Sequence, residues 1–103
     1  MNINFEQAKD DLYWCAMAAE KFGEEQIIDW AAEQYEEIKN DVTAMAAFVM
    51  VLNHKCWFWY EAGSEELSNT YAELYYKYNN LEWDWLEAHG TSDEKSWYFK
   101  TLD

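Results

Sequence analysis

The chain has 103 residues, of which half are hydrophobic and 20 are aromatic (7 Trp, 8 Tyr and 5 Phe), and its formal net charge is −14. The chain contains 21 acidic residues, 7 lysines and no arginine. This excess of negative charge excludes direct binding to nucleic acid or to an anionic membrane and favours cationic protein partners. The aromatic content excludes a disordered acidic tail, and the length predicts a single domain over residues 1–103.

The N-terminal segment is neither basic nor apolar, which argues against a secretory signal. The longest apolar run, Ala44 to Leu52, is half as long as a membrane-spanning helix needs. Cys15 and Cys56 lie within apolar helical patterns and match no metal or redox spacing, so we expect two unpaired thiols. Together these features predict a soluble protein located in the cytoplasm.

Three glycines, Gly23, Gly63 and Gly90, divide the chain into predicted helices, and the chain contains no proline that would interrupt them. The first predicted helix begins at Asn4 and ends at Phe22, before Gly23. The second follows at once and ends near Lys39. Its predicted apolar side consists of Ile27, Ile28, Ala31, Tyr35 and Ile38.

The third and fourth predicted helices are the longest. Asp41 is expected to cap the third, which extends to Ala62, and Ser64 precedes the fourth, which extends to His89. Because only Gly63 and its neighbours separate them, we expect these helices to form a long antiparallel hairpin of about 33 Å. The fourth helix carries a heptad-like series: Leu67, Tyr71, Leu74, Tyr78, Leu81, Trp85 and Ala88.

The C-terminal segment begins with a capping-box pattern, Thr91 to Glu94, and is expected to form a short helix or turn that packs Trp97 or Phe99 against the others. The third helix is apolar nearly all round from Ala44 to Leu52 and is therefore expected to be the most buried. The resulting prediction is an all-α protein, a compact bundle of four main helices with a short C-terminal helix or turn.

The sequence of residues 57–60 places four aromatic rings in succession, so their side chains point in four directions around a helix. We expect Trp59 and Tyr60 to face the core, and Trp57 or Phe58 to reach the surface or a subunit interface. The alternative is that the C-terminal segment covers them. A second apolar patch in the first helix, Tyr13, Trp14 and Met17, leaves a homodimer open as a further possibility.

The sequence contains no defensible catalytic, cofactor-binding or metal-binding motif. His54 and Cys56 are two residues apart, so in a helix they diverge too far for a nucleophile and base to pair. Neither His54 nor His89 follows a glutamate by three residues, as a metal site in a helical bundle requires. The chain is therefore predicted to be neither an enzyme nor a metal or cofactor carrier.

Acidic residues cover one side of the second predicted helix. Four of them fall within a sector of about 80°, and Glu37 lies beside it; we call the set the acidic face. Its members are Glu25, Asp29, Glu33, Glu36 and Glu37. Like charges four residues apart destabilise a helix by about 0.2–0.5 kcal/mol per pair, so a role other than stability is indicated.

Charges on this face recur about every 6 Å along a rigid helix, like a strand of phosphates. In composition and size the chain resembles the small acidic DNA-mimic proteins that phages and mobile elements use against restriction or CRISPR enzymes. This resemblance implies a protein-binding inhibitor whose partner is a cationic nucleic-acid enzyme, and it assigns no residues. Trp57 and Phe58 are further candidate binding residues because one of them is expected to reach the surface. The alternatives are a structural or adaptor protein that binds through exposed aromatics, and a solvated acidic coat without a partner.

Overall fold

A computed structural model describes residues 10, 13, 14, 16 and 24–102 of the chain. Residues 24–102 form four helices: α1 (Glu24–Ile38), α2 (Val42–Glu61), α3 (Glu65–His89) and α4 (Ser92–Leu102). No strand occurs in this range, so the all-α prediction is confirmed there. Most of the predicted first helix lies outside the described residues, as do Gly23, Cys15 and Met17. None of the described helices is both long and apolar enough to cross a membrane.

Helix α1 ends where the sequence predicts, one residue before Lys39. The turn that follows is closed by two backbone hydrogen bonds of 2.9 Å, from Lys39 N to Tyr35 O and from Asp41 N to Ile38 O. Ile27 and Ala31 are buried, as expected. Ile28 was predicted to share their side, but its side chain is exposed, because it is rotated by about 100° from Ile27 around the helix.

Helix α2 is the most buried described helix, in agreement with the prediction. Asp41 caps it by accepting a hydrogen bond of 3.1 Å from Ala44 N. Every residue from 42 to 49 is buried, because α1, α3 and α4 all pack against this helix. Beyond residue 52 only one side of α2 is buried, and the residues on its other sides near the C-terminal end are exposed.

The most extensive helix contact is between α2 and α3. Residues 62–64 join them, and Gly63 has a φ of +85°, a left-handed conformation that glycine adopts without strain. Ser68 Oγ donates a hydrogen bond of 2.9 Å to Cys56 O at one end of the contact. Further along, the Phe48 and Tyr78 rings meet edge to face with their centroids 5.2 Å apart.

The buried side of α3 departs from the predicted heptad series in its last turns. Tyr71, Leu74 and Tyr78 are buried as predicted, but the next buried positions are Glu82 and Leu86. Leu81 and Ala88, which the series placed inside, are exposed, and Trp85 is half-buried. Glu82 lies four residues after Tyr78 and four before Leu86, so these three side chains share one side of α3, and Leu86 packs there against Tyr98 of α4.

Helix α4 begins with the predicted capping box. Thr91 N donates to Glu94 Oε1 over 3.0 Å, and Glu94 N donates to Thr91 Oγ1 over 3.1 Å. The prediction that Trp97 or Phe99 packs against the other helices is only partly right, since Trp97 is half-buried and Phe99 is exposed. Tyr98, between them, is the residue that is buried, and it packs with Val42, Ala46 and Leu86. Helix α4 thus covers the beginning of α2.

Candidate functional site

The acidic face lies on the outer side of α1. The side chains of Asp29, Glu33, Glu36 and Glu37 are all exposed, whereas Ile27 and Ala31 face the core. Glu25 belongs to the same helix, but its side chain is outside the described part. Asp29, Glu33 and Glu37 follow one another at intervals of four residues, so they lie on one ridge with about 6 Å between successive positions.

A lysine at the end of α1 offsets one of these charges. Lys39 Nζ lies 2.8 Å from Glu36 Oε2, and this hydrogen bond, together with the carboxylate charge, raises the pKa of Lys39. Both side chains are exposed to water, so the ion pair contributes little to stability. Within the described residues it is the only ion pair of the acidic face. The uncompensated charge is therefore carried by Asp29, Glu33 and Glu37.

A second candidate surface lies near the C-terminal end of α2. Trp57, Phe58 and Tyr60 have 58%, 45% and 64% of their residue surface exposed, and we call this set the aromatic edge. Trp57 and Tyr60 meet edge to face at 5.7 Å between ring centroids. The prediction that Trp57 or Phe58 reaches the surface is confirmed for both residues.

The prediction for the other two rings is half wrong. Trp59 is half-buried and packs against the core, but Tyr60 points away from it. The physical reason is that α4 packs at the opposite end of α2, beside Val42 and Ala46, so one side of the last turns is left open.

Beneath the aromatic edge lies Lys55, which is fully buried. Its Nζ is 4.3 Å from the centroid of the Phe58 ring, 5.1 Å from that of Tyr13 and 5.7 Å from that of Trp59. Each distance is within the range of a cation–π interaction. Sequence analysis missed this role, although Lys55 falls three residues after Leu52 and four before Trp59, at the spacing of a core position.

Glu82 is a second residue whose role sequence analysis missed. Only 1% of its surface is exposed, and its Oε1 has no hydrogen-bond partner among the described residues. Burial, then the nearby charges of Glu94 and Asp41, raise the pKa of its carboxyl to about 8. The available signal was its spacing, because position 82 lies four residues after Tyr78 and therefore on the same side of α3.

Neither His54 nor Cys56 is positioned with partners for catalysis. His54 is exposed, and Cys56 is a half-buried free thiol whose Sγ lies 3.6 Å from Ser68 Oγ. The state of Cys15 lies outside the described residues. In the part of the chain that the structure describes, no three His, Cys, Asp or Glu residues come together in a way that could hold a metal ion.

The structure does not bring the acidic face and the aromatic edge together. They lie on different helices, and across the described residues no hydrogen bond, ion pair or ring contact joins them. The exposed Trp14 ring, which meets Tyr13 edge to face at 6.0 Å, is a further aromatic surface. Comparisons with protein-family models, with curated proteins and with solved structures found no match to this chain.

Proposed function

We propose that this chain is an acidic protein-binding module whose partner is a cationic protein, and most specifically a DNA mimic that inhibits a nucleic-acid-binding enzyme. The anti-restriction and anti-CRISPR inhibitors of phages and mobile elements are proteins of this type. The observation that carries the proposal is the exposed ridge of Asp29, Glu33 and Glu37 on α1.

The charges of this ridge are suited to a cationic groove for two reasons. They are fixed at regular intervals on a helix whose other side is packed into the core through Ile27 and Ala31. They also belong to a chain with a net charge of −14, whose field attracts a cationic partner over long distances and accelerates association. A groove that binds the DNA backbone offers the complementary charge.

The proposal includes an antiparallel arrangement of α2 and α3 as the support for both candidate surfaces. Two contacts favour it: Cys56 meets Ser68 close to the connection, and Phe48 meets Tyr78 further away. The residue numbers fall along α2 as they rise along α3, which is the pattern of an antiparallel pair. The short connection through Gly63 agrees with it.

The second candidate function is a structural or adaptor protein that binds its partner, or a second copy of itself, through aromatics. The exposure of Trp57, Phe58 and Tyr60 favours this alternative, because exposed aromatic groups are enriched among residues that dominate protein interfaces. The net charge of −14 disfavours a second copy, since two such chains repel each other at low salt.

Binding measurements against purified DNA-cleaving enzymes, including restriction nucleases and CRISPR effectors, test the two candidates. A DNA mimic binds at least one enzyme in competition with duplex DNA, and the affinity falls steeply between about 50 and 200 mM salt. An adaptor tolerates salt and loses its partner when Trp57 and Tyr60 are replaced by Gln. Binding that duplex DNA leaves unchanged would contradict the mimic proposal.

A further inference from the structure

Glu82 lies on the side of α3 that faces α4. On the same side, one turn before it, Asn79 Oδ1 accepts a hydrogen bond of 2.9 Å from the Tyr98 hydroxyl. One turn after it, Leu86 packs against Tyr98 in a small cluster with Val42 and Ala46. Both neighbours of Glu82 on this side therefore contact Tyr98 of α4, and the charges that act on its buried carboxyl belong to Glu94 of α4 and to Asp41, which caps α2.

The surroundings of this carboxyl favour its neutral form. It is buried, its Oε1 lacks a hydrogen-bond partner among the described residues, and burial is the largest cause of its raised pKa, about 8. The charged groups that act on it are acids: Glu94 from α4 and Asp41 from the start of α2. From α4 it also faces the Tyr98 hydroxyl, whose pKa is raised by burial and by Glu82.

The two neighbouring carboxylates are held in place by helix capping. Asp41 Oδ1 accepts from Ala44 N over 3.1 Å, and Glu94 Oε1 accepts from Thr91 N over 3.0 Å. Moving either away from Glu82 would cost a cap hydrogen bond. The most direct way to hydrate an ionised Glu82 carboxylate is therefore the detachment of α4 from α3.

We propose that Glu82 and α4 form a pH switch: with a neutral carboxyl α4 stays packed on α2 and α3, and with an ionised carboxyl α4 detaches. Detachment exposes Tyr98, the Trp83 ring stacked on it at 6.4 Å, and the start of α2. The apolar surface that becomes accessible is distinct from both the acidic face and the aromatic edge. This inference does not depend on the proposed binding function.

The size of the effect follows from proton linkage. In the detached state the carboxyl meets water and its pKa returns towards the ordinary value of 4.5, whereas in the packed state it is about 8. Between these values the detached state releases a proton that the packed state keeps. The equilibrium constant for detachment therefore rises by about tenfold per pH unit in that range.

Hydrogen exchange of backbone amides measures this equilibrium directly. We expect the protection factors of the Trp97 and Tyr98 amides, corrected for intrinsic exchange, to fall by about tenfold per pH unit between about pH 5.5 and 7.5. They should also be lower than those of Phe48 and Val49 in α2, because α4 opens before the whole protein unfolds. In Glu82→Gln the pH dependence should disappear from the α4 amides.

The control is Glu87→Gln, which removes the same charge from an exposed position of α3 and should keep the wild-type pH dependence. Glu82→Met serves as a second variant without an ionisable group, should the buried amide disturb folding. Protection of α4 that is independent of pH in the wild type would overturn the proposal. Equal protection of α4 and α2 at every pH would overturn it too, because α4 would then open only with global unfolding.

Discussion

The Tyr98 hydroxyl donates a hydrogen bond of 2.9 Å to Asn79 Oδ1, and this bond joins the last helix to the longest one. Tyr98 is buried and Asn79 is half-buried, so this bond gives the Tyr98 hydroxyl a partner inside the protein. The contact explains why α4 is anchored by Tyr98 rather than by Trp97 or Phe99.

Replacing Tyr98 by Phe should therefore destabilise the protein. The substitution keeps the ring and removes the hydroxyl, which leaves Asn79 Oδ1 without this donor, so we expect a loss of about 1–2 kcal/mol in the free energy of unfolding. Urea denaturation followed by far-UV circular dichroism measures it. Tyr76→Phe is the matched control, because Tyr76 is an exposed tyrosine of α3, the helix that carries Asn79, and its unfolding curve should overlay that of the wild type.

A second prediction concerns Lys55, whose ammonium lies against three rings. Lys55→Ala should destabilise the protein by about 2–4 kcal/mol, since it removes a fully buried side chain and its cation–π contacts. Lys77→Ala is the control, because Lys77 Nζ also lies over a ring, 5.2 Å from the Tyr78 centroid, but its side chain is exposed. We expect the control to cost less than about 0.5 kcal/mol. Similar costs for both variants would contradict the structural role of Lys55.

The pH dependence of thermal stability follows from the sign of the Glu82 shift. Because folding raises the pKa of this carboxyl from 4.5 to about 8, the folded state holds a proton that the unfolded state has released between these values. The stability that this group contributes is thus fully present below about pH 4.5 and is lost as the pH rises to about 8. Above about pH 8 the Glu82 carboxyl is ionised in both the folded and the unfolded state, and its contribution to stability no longer changes with pH.

We therefore expect the wild-type Tm to fall between about pH 5 and 8, with a much shallower slope in Glu82→Gln. At pH 7 the variant should be more stable than the wild type by up to about 3 kcal/mol, the upper limit that linkage allows. Calorimetric scans at closely spaced pH values measure both quantities. Parallel Tm profiles for the two proteins would show that Glu82 is ionised in the folded state.

The helix boundaries were predictable from the sequence because each is marked by local chemistry. Asp41 caps α2, the Thr91 and Glu94 pair opens α4, and Gly63 provides the left-handed conformation in the turn between α2 and α3. These interactions involve residues within four positions of each other. They do not depend on how the helices pack, and so the sequence alone reveals them.

The side chains that the sequence misplaced depend on packing between distant segments. Tyr60 is exposed because α4 encloses the other end of α2, and Glu82 is buried because α4 packs on its side of α3, where Leu86 meets Tyr98. Of the candidate site, the exposure of the acidic side of α1 was predictable, since a polar helix side opposite Ile27 and Ala31 faces water.

The central claim is that the acidic face binds a cationic partner, and three substitutions test it: Asp29→Asn, Glu33→Gln and Glu37→Gln in one variant. The variant relieves three repulsions between positions four residues apart (25 and 29, 29 and 33, 33 and 37), so it should be more stable than the wild type by about 0.6–1.5 kcal/mol. Glu36 is kept, because its charge is already offset by Lys39. A control variant with Gln at Glu65, Glu66 and Glu73 loses the same charge from exposed positions of α3.

The most direct measurement is the affinity of these three proteins for a DNA-cleaving enzyme that the wild type binds, determined by calorimetry at low and at moderate salt. The account predicts that the α1 variant loses at least about tenfold in affinity and most of the salt dependence, while the α3 control stays close to the wild type. An α1 variant that is more stable and binds as tightly as the wild type would contradict the claim, and would leave these carboxylates as a solvated coat on an aromatic core.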